Sequence, residues 1–224
     1  MKTLSIDVVS DVVCPWCFIG KRHLDRALEL WRAEQPACEV AVHWRPFFLN
    51  PDTPDGGEPY RPFLERKFGG PEKLAGIWQR VSAAGQAAGI DFAFEKIELR
   101  ANTLQAHRLI HHAQKVGADA AAVNSLIEGL FAAQFLEGRH VGDRAVLAAV
   151  AAESGMDRDA VQRYLDSTED AEQVRAAAAE MQRMGIGGVP LFIFNKRLAA
   201  SGAQPPEALL QVMREALRPA AQPT

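Results

Sequence analysis

The first 46 residues switch hydrophobic period twice, and that switch constrains the fold more than anything else in the chain. Leu4, Ile6 and Val8 alternate with polar neighbours, as in a strand with one buried face. From Pro15 onward Leu24, Ala27, Leu28 and Trp31 recur at helical spacing until Pro36 stops them. Val40, Val42 and Trp44 alternate again, so residues 39–45 read as a second strand. A strand–helix–strand unit of this length requires parallel strands joined by a right-handed crossover.

The far end of the chain returns to the same vocabulary. Val189-Pro190-Leu191-Phe192-Ile193-Phe194 is a short apolar run, Asn195-Lys196 is a turn, and Leu198 to Ser201 is its hairpin partner. Pro205-Pro206 then opens a helix with Leu209, Leu210, Met213 and Leu217 on one face. Between these ends, Pro46 to Gly70 is rich in Pro and Gly and reads as loop and linker. Helical stripes follow. They are Leu74, Ile77, Trp78 and Val81 behind Pro71, and Ala106, Leu109, Ile110 and Ala113 behind an Asn102 cap. Val123, Leu126, Ile127 and Leu130 come next, then Val146, Leu147, Val150 and Ala151 behind Asp143. Val161, Tyr164 and Leu165 follow Asp157, and Val174, Ala177, Ala178 and Met181 end at Gly185. No fixed period relates them, which excludes a solenoid. The fold class is α/β with a large all-α helical insertion between an N-terminal βαβ and a C-terminal ββα unit. Residues 1–50 and 186–224 form one discontinuous domain, and residues 60–185 the inserted helical domain. Phe47, Phe48 and Trp78 read as core.

A net charge of −3 gives no electrostatic case for nucleic acid or an anionic membrane surface. No apolar run approaches the roughly 20 residues a spanning helix needs. Asp7 and Asp11 interrupt what would be a leader, so the expected location is cytoplasmic. In that reducing setting three cysteines do not make a disulfide scaffold, and a close pair serves catalysis or metal. The pair is Cys14-Pro15-Trp16-Cys17, just after the first strand. A helix beginning there aims unpaired N–H groups and its positive dipole end at the first sulfur, which favours the nucleophilic thiolate. Zinc fails on ligand count, because only Cys38 remains and no histidine pair follows at finger spacing. Cys38 reads as a small, packed or partly exposed residue without a catalytic part. His107 and His111 share a helix face next to His112, with no third ligand, so a solvated or hydrogen-bonded face is expected and no metal.

Four blocks, in order, carry a family resemblance. They are Ser10-Asp11-Val12-Val13-Cys14-Pro15-Trp16-Cys17-Phe18-Ile19-Gly20-Lys21, Asn102-Thr103-Leu104-Gln105-Ala106-His107-Arg108-Leu109, Gly187-Gly188-Val189-Pro190-Leu191-Phe192 and Ser201-Gly202-Ala203-Gln204-Pro205-Pro206-Glu207. The chain resembles the DsbA-like thioredoxin-fold oxidoreductases of the FrnE type, which are related to 2-hydroxychromene-2-carboxylate isomerase and kappa-class glutathione transferase. The resemblance implies a thioredoxin-like fold. It implies Cys14 as an exposed nucleophile, Cys17 as the buried resolving thiol, and a cis Pro190 facing them, with the Val189 backbone free to pair with an extended substrate. Trp16 and Pro15 would present an apolar surface to substrate, and Asn102 and His107 would lie near the cleft and contact it. The implied activity is thiol–disulfide exchange through a mixed disulfide, reducing or isomerising disulfides of proteins or small-molecule thiols. No cofactor is called for beyond the Cys14–Cys17 pair, with glutathione open as substrate or reductant.

The second reading is a glutathione-dependent isomerase or kappa-like transferase acting on aromatic or polyketide-like compounds. Those relatives carry serine in place of the first cysteine and an Asp-Arg grip after the last strand. This chain has Cys14 and Ala203-Gln204 there, with only Asn50 resembling a glutathione contact. Both differences favour the oxidoreductase. The apolar helical insertion could equally supply a lid or a homodimer surface.

Overall fold

Strand β1 (Thr3–Ser10) lies at the centre of a four-stranded sheet, in a computed structural model that describes residues 3–218. It pairs in parallel with β2 (Glu39–Pro46), Val8 opposite Trp44, and the connection between them is α1 (Pro15–Glu34). On its other side β1 pairs antiparallel with β5 (Leu191–Phe194), Val8 opposite Phe192. The hairpin to β6 (Leu198–Ser201) completes the order β2-β1-β5-β6. Its turn uses Asn195 and Lys196, both at positive φ. Helix α9 (Pro206–Ala216) rests on β5 and β6 and packs along α1.

The remaining elements fall between β2 and β5. Strand β3 (Glu58–Pro59) pairs with β4 (Leu99–Arg100) in a two-residue ribbon. The helices of this stretch are α2 (Tyr60–Phe68), α3 (Pro71–Ala87), α4 (Leu104–Lys115), α5 (Ala120–Ala132), α6 (Arg144–Glu153), α7 (Arg158–Asp166) and α8 (Ala171–Arg183). Helices α4 and α8 pack on each other and against β2. Among the described residues, no helix is long and apolar enough to cross a membrane.

The sequence reading needs two corrections here. The stretch taken as linker up to Gly70 contains α2, which starts at Tyr60 and stops at Gly69 in the left-handed region. Pro62 sits in the first turn of α2, where its missing N–H costs no helical hydrogen bond. Helix α5 also does not stop where its stripe does, because it runs on through a π-helical segment, Ala133–Glu137. The caps at Asp143 and Asp157 accept from the first-turn amides as expected. Thr103 occupies the cap position of α4, while Asn102 accepts from the Leu104 amide at 3.0 Å from one residue earlier.

Two contacts seat the start of α1 on the intervening helices. Phe18 stacks on Phe131 with ring centroids 5.1 Å apart, inside a cluster that includes Phe92 and Phe135. Lys21, only 2% exposed, bonds Asp25 at 2.8 Å and Glu128 of α5 at 2.7 Å. A buried ammonium needs such partners, and here they tie α1 to α5.

Candidate active site

Cys14 is the N-cap of α1, with β-region backbone and no side-chain capping bond. Its carbonyl accepts from the Cys17 amide at 3.0 Å and the Phe18 amide at 3.3 Å, which starts the helix. Pro15 fills the next position, preset for helical φ and with no N–H to waste. Cys17 therefore lies one turn along, on the face of α1 that enters the core, and it is 1% exposed.

The Val189–Pro190 peptide is cis. It stands opposite the cysteines, and Cys14 Sγ donates to the Val189 carbonyl at 3.7 Å. Strand β5 begins only at Leu191, because residues 189–190 form this turn. Pro190 can sit so close to α1 because position 20 is glycine. A Cβ there would meet Pro190 Cγ at 3.0 Å and Phe192 Cζ at 3.1 Å.

Cys14 is 4% exposed, which corrects the expectation of an exposed nucleophile. The Val189 carbonyl holds its sulfur, and Tyr60 of α2 stands close enough for the two to interact electrostatically. Trp16, between the two thiols, is the exposed apolar group of the motif at 41%. Burial holds the Cys17 thiol well above the ordinary value of 9.0, and the hydrogen bond and charge of Cys14 add to it. Hydrogen bonds from the Ser10 side chain and the Asp11 backbone pull the other way. Burial likewise raises the Tyr60 phenol, with the charge of Cys14 second. Cys17 thus keeps its proton at rest.

Asp11 is 1% exposed, and its backbone carbonyl accepts from the Cys14 amide at 3.0 Å. Its carboxylate accepts from the Leu49 amide at 2.8 Å and faces His107 Nε2 at 3.3 Å. The same Nε2 lies 3.1 Å from the Phe47 carbonyl. Both neighbours are acceptors, which places a proton on Nε2. His107 is 5% exposed and does not belong to a solvated face, whereas the His111 side chain is 42% exposed. Helix α4 turns His107 inward and His111 toward its rim. His112 stacks on Tyr164, ring centroids 4.0 Å apart.

The Asn102 side chain donates to the Thr53 carbonyl at 2.8 Å, and its oxygen accepts from the Leu104 amide beside the Thr103 cap. It borders a groove of about 640 Å³ with Phe48, Asn50 and Arg175. Cys38 is half-buried, its thiol directed at the Glu39 carbonyl, at the opposite end of β2 from the site. Sequence reasoning gave no role to Tyr60, Ser10 or Asp11. Ser10 and Asp11 stand within the motif block, but nothing in Tyr60's neighbourhood signalled that α2 would bring it to Cys14.

A family model for the DSBA-like thioredoxin domain matches residues 5–214. The chain belongs to this family. The Bacillus subtilis (strain 168) protein YwbO is 26% identical over 203 residues, spanning 90% of this chain and 92% of YwbO. Among solved structures, a probable DsbA oxidoreductase from Streptomyces coelicolor superposes with a TM-score of 0.83 at 27% identity, covering 99% of this chain and 94% of that one. The cytosolic disulfide reductase DsbM from Pseudomonas aeruginosa, solved with GSH, shares the fold at TM-score 0.63 and 19% identity, covering 96% of this chain and all of that one.

Proposed function

We propose that the chain is a thiol–disulfide oxidoreductase or isomerase that works through the Cys14–Cys17 dithiol. The observation that carries this is the placement of two thiols at the cap and third position of one helix, opposite the Val189 carbonyl. An extended substrate pairing with Val189 displaces the Cys14 thiol from that carbonyl, so docking and release of the nucleophile are one event. Trp16 and Pro15 offer the substrate an apolar approach. The Cys14 thiolate attacks one substrate sulfur and the other leaves as a thiolate, giving a mixed disulfide. Cys17, one turn along, then attacks the Cys14 sulfur, closing the Cys14–Cys17 disulfide and releasing the reduced substrate. If the substrate's own second thiol attacks first, the outcome is isomerisation. Glutathione fits as a small disulfide substrate or as the thiol that regenerates the pair. A cytoplasmic setting, also part of the proposal, keeps such a pair reduced and sets the net direction toward reduction or isomerisation.

Insulin reduction and refolding of a scrambled disulfide protein test this reading. Cys14→Ser is expected to lose about a thousandfold or more in both, since it removes the nucleophile. Cys17→Ser is expected to accumulate a mixed disulfide visible by intact mass. Equal rates for wild type and Cys14→Ser would end it.

A further inference from the structure

Resolution of the mixed disulfide, the second step of the function proposed above, poses a problem that the first step does not. Cys17 must become a thiolate to attack, yet it is 1% exposed and bulk water cannot take its proton. The Ser10 side chain, itself 4% exposed, favours the Cys17 thiolate. Ser10 also lines a cavity of about 410 Å³, and His107 lines the same cavity. That volume has room for a short chain of water molecules, and Ser10, His107 and Gln114 place polar groups on its otherwise mainly apolar wall.

We infer that His107, held by Asp11, accepts the proton that Cys17 releases, passed through Ser10 and the cavity between them. The ring is set up for this. Nε2–H is committed to the Phe47 carbonyl and the Asp11 carboxylate, so the lone pair that can accept is on Nδ1, which bonds no protein group among the described residues. The Asp11 carboxylate, fixed by the Leu49 amide, then faces an imidazolium and stabilises it. Other charged groups lining the cavity are largely compensated. Arg45 bonds Asp7 at 2.7 Å, Lys115 bonds Asp170 at 2.9 Å, and His111 stands 3.9 Å from Asp170. His43, on β2, also lines the cavity and is exposed to solvent.

The step balances as a proton shift followed by exchange. The Cys17 proton goes to Ser10 Oγ as the Ser10 hydroxyl proton moves through water to His107 Nδ1. The Cys17 sulfur pair forms the bond to Cys14 Sγ, and the Cys14–substrate S–S bond breaks with its electrons leaving on the substrate sulfur. The protein dithiol is oxidised and the substrate disulfide reduced. His107 is on this account a positioning and proton-accepting residue, and it does not touch substrate.

Stopped-flow reaction of the reduced protein with Ellman's disulfide separates the two steps, in a Cys38→Ser background so that only the pair reports. The first nitrothiolate released marks attack by Cys14, and the second marks closure by Cys17. His107→Gln keeps an N–H for Phe47 and Asp11 but has no basic nitrogen. Its second phase is expected to slow about 100-fold at pH 7, with the first phase within about twofold. The deficit is expected to shrink toward pH 10, where hydroxide replaces the histidine. Ser10→Ala is expected to slow the same phase, and added imidazole to restore it in His107→Ala. A wild-type second phase in both His107→Gln and Ser10→Ala overturns the relay, as does a loss insensitive to both pH and imidazole. A wild type that releases nitrothiolate without forming the Cys14–Cys17 disulfide overturns the oxidoreductase reading and the relay with it. Two normal phases in wild type with no effect of the variants overturn the relay alone.

Discussion

The two sulfurs and the turn that faces them are set by β1, α1 and β5, whereas Tyr60 and His107 reach the site from helices α2 and α4 between β2 and β5. The two regions are held differently. In the sheet, continuous backbone ladders fix the register, Ile6 to Val9 opposite Phe194 to Leu191, largely whatever the surface side chains are. Among the helices, a few polar side chains do the fastening. Arg108 donates to the carbonyls of Tyr164, Leu165 and Glu169, and Gln114 brackets both backbone groups of Trp44. A reaction centre on backbone ladders keeps its geometry through surface change, while its surroundings depend on a few buried groups.

Arg108→Met breaks that contrast most severely. Arg108 is 1% exposed, and its loss leaves the Leu165 and Glu169 carbonyls without a donor at about 1–3 kcal/mol each, partly relieved by water, while the Tyr164 carbonyl keeps the Ser167 hydroxyl and amide. Urea unfolding is expected to show a loss on the order of 2–4 kcal/mol. The surviving native fraction should keep a normal first phase with Ellman's disulfide. A loss under about 1 kcal/mol would mean that packing, and not this network, holds α4 to α7.

How much of this was legible in the chain follows the same division. The strands and α1 could be read because each buries one face, and periodicity records that directly. Cys14 and Cys17 could be read because their spacing is local. Helix α2 was hidden by Pro62 and Gly69, which read as loop punctuation although one sits in a first turn and the other just past the end. The π-helical segment was hidden because an extra residue in a turn leaves no mark on a hydrophobic stripe. The Asp11–His107 pair joins positions 96 apart in sequence, and nothing near either residue names the other. The Val189 carbonyl that holds the Cys14 sulfur lies 175 positions away.

One glycine from each region sharpens the comparison at lower cost. At Gly20 an added methyl meets the Pro190 ring, which cannot rotate away, at 3.0 Å. At Gly129 of α5 it meets Val150 Cγ1 at 3.1 Å, a side-chain end that can yield by a few tenths of an ångström. Gly20→Ala is therefore expected to destabilise by about 1–2 kcal/mol, overpacking outweighing the gain in helix propensity. It should also slow Cys14 attack by pushing residues 189–190 out of place. Gly129→Ala is expected to stay within about 1 kcal/mol of wild type and leave both phases alone. Equal effects at the two positions would show that the Pro190 contact is not what sets the site.

The gentlest probe is alkaline pH on the reduced protein. The native state holds the Cys17 proton above 9.0, where the unfolded thiol gives it up. The unfolded state then binds fewer protons, so stability present below that value is lost as pH rises. The slope attributable to Cys17 is up to about 1.4 kcal/mol per pH unit. Tyr164 is buried and its phenol is raised from 10.0, by burial first and by the charge of Asp170 second, and the buried Tyr60 phenol is raised as well, so the tyrosine loss starts a unit later. Urea midpoints between pH 8 and 11 should separate the two. Cys17→Ala is expected to flatten the decline between pH 9 and 10 and keep the steeper fall beyond it, whereas Tyr164→Phe should keep the first decline and soften the second. A decline between pH 9 and 10 that survives Cys17→Ala would place the earliest alkaline failure among the helices and not under the active-site turn.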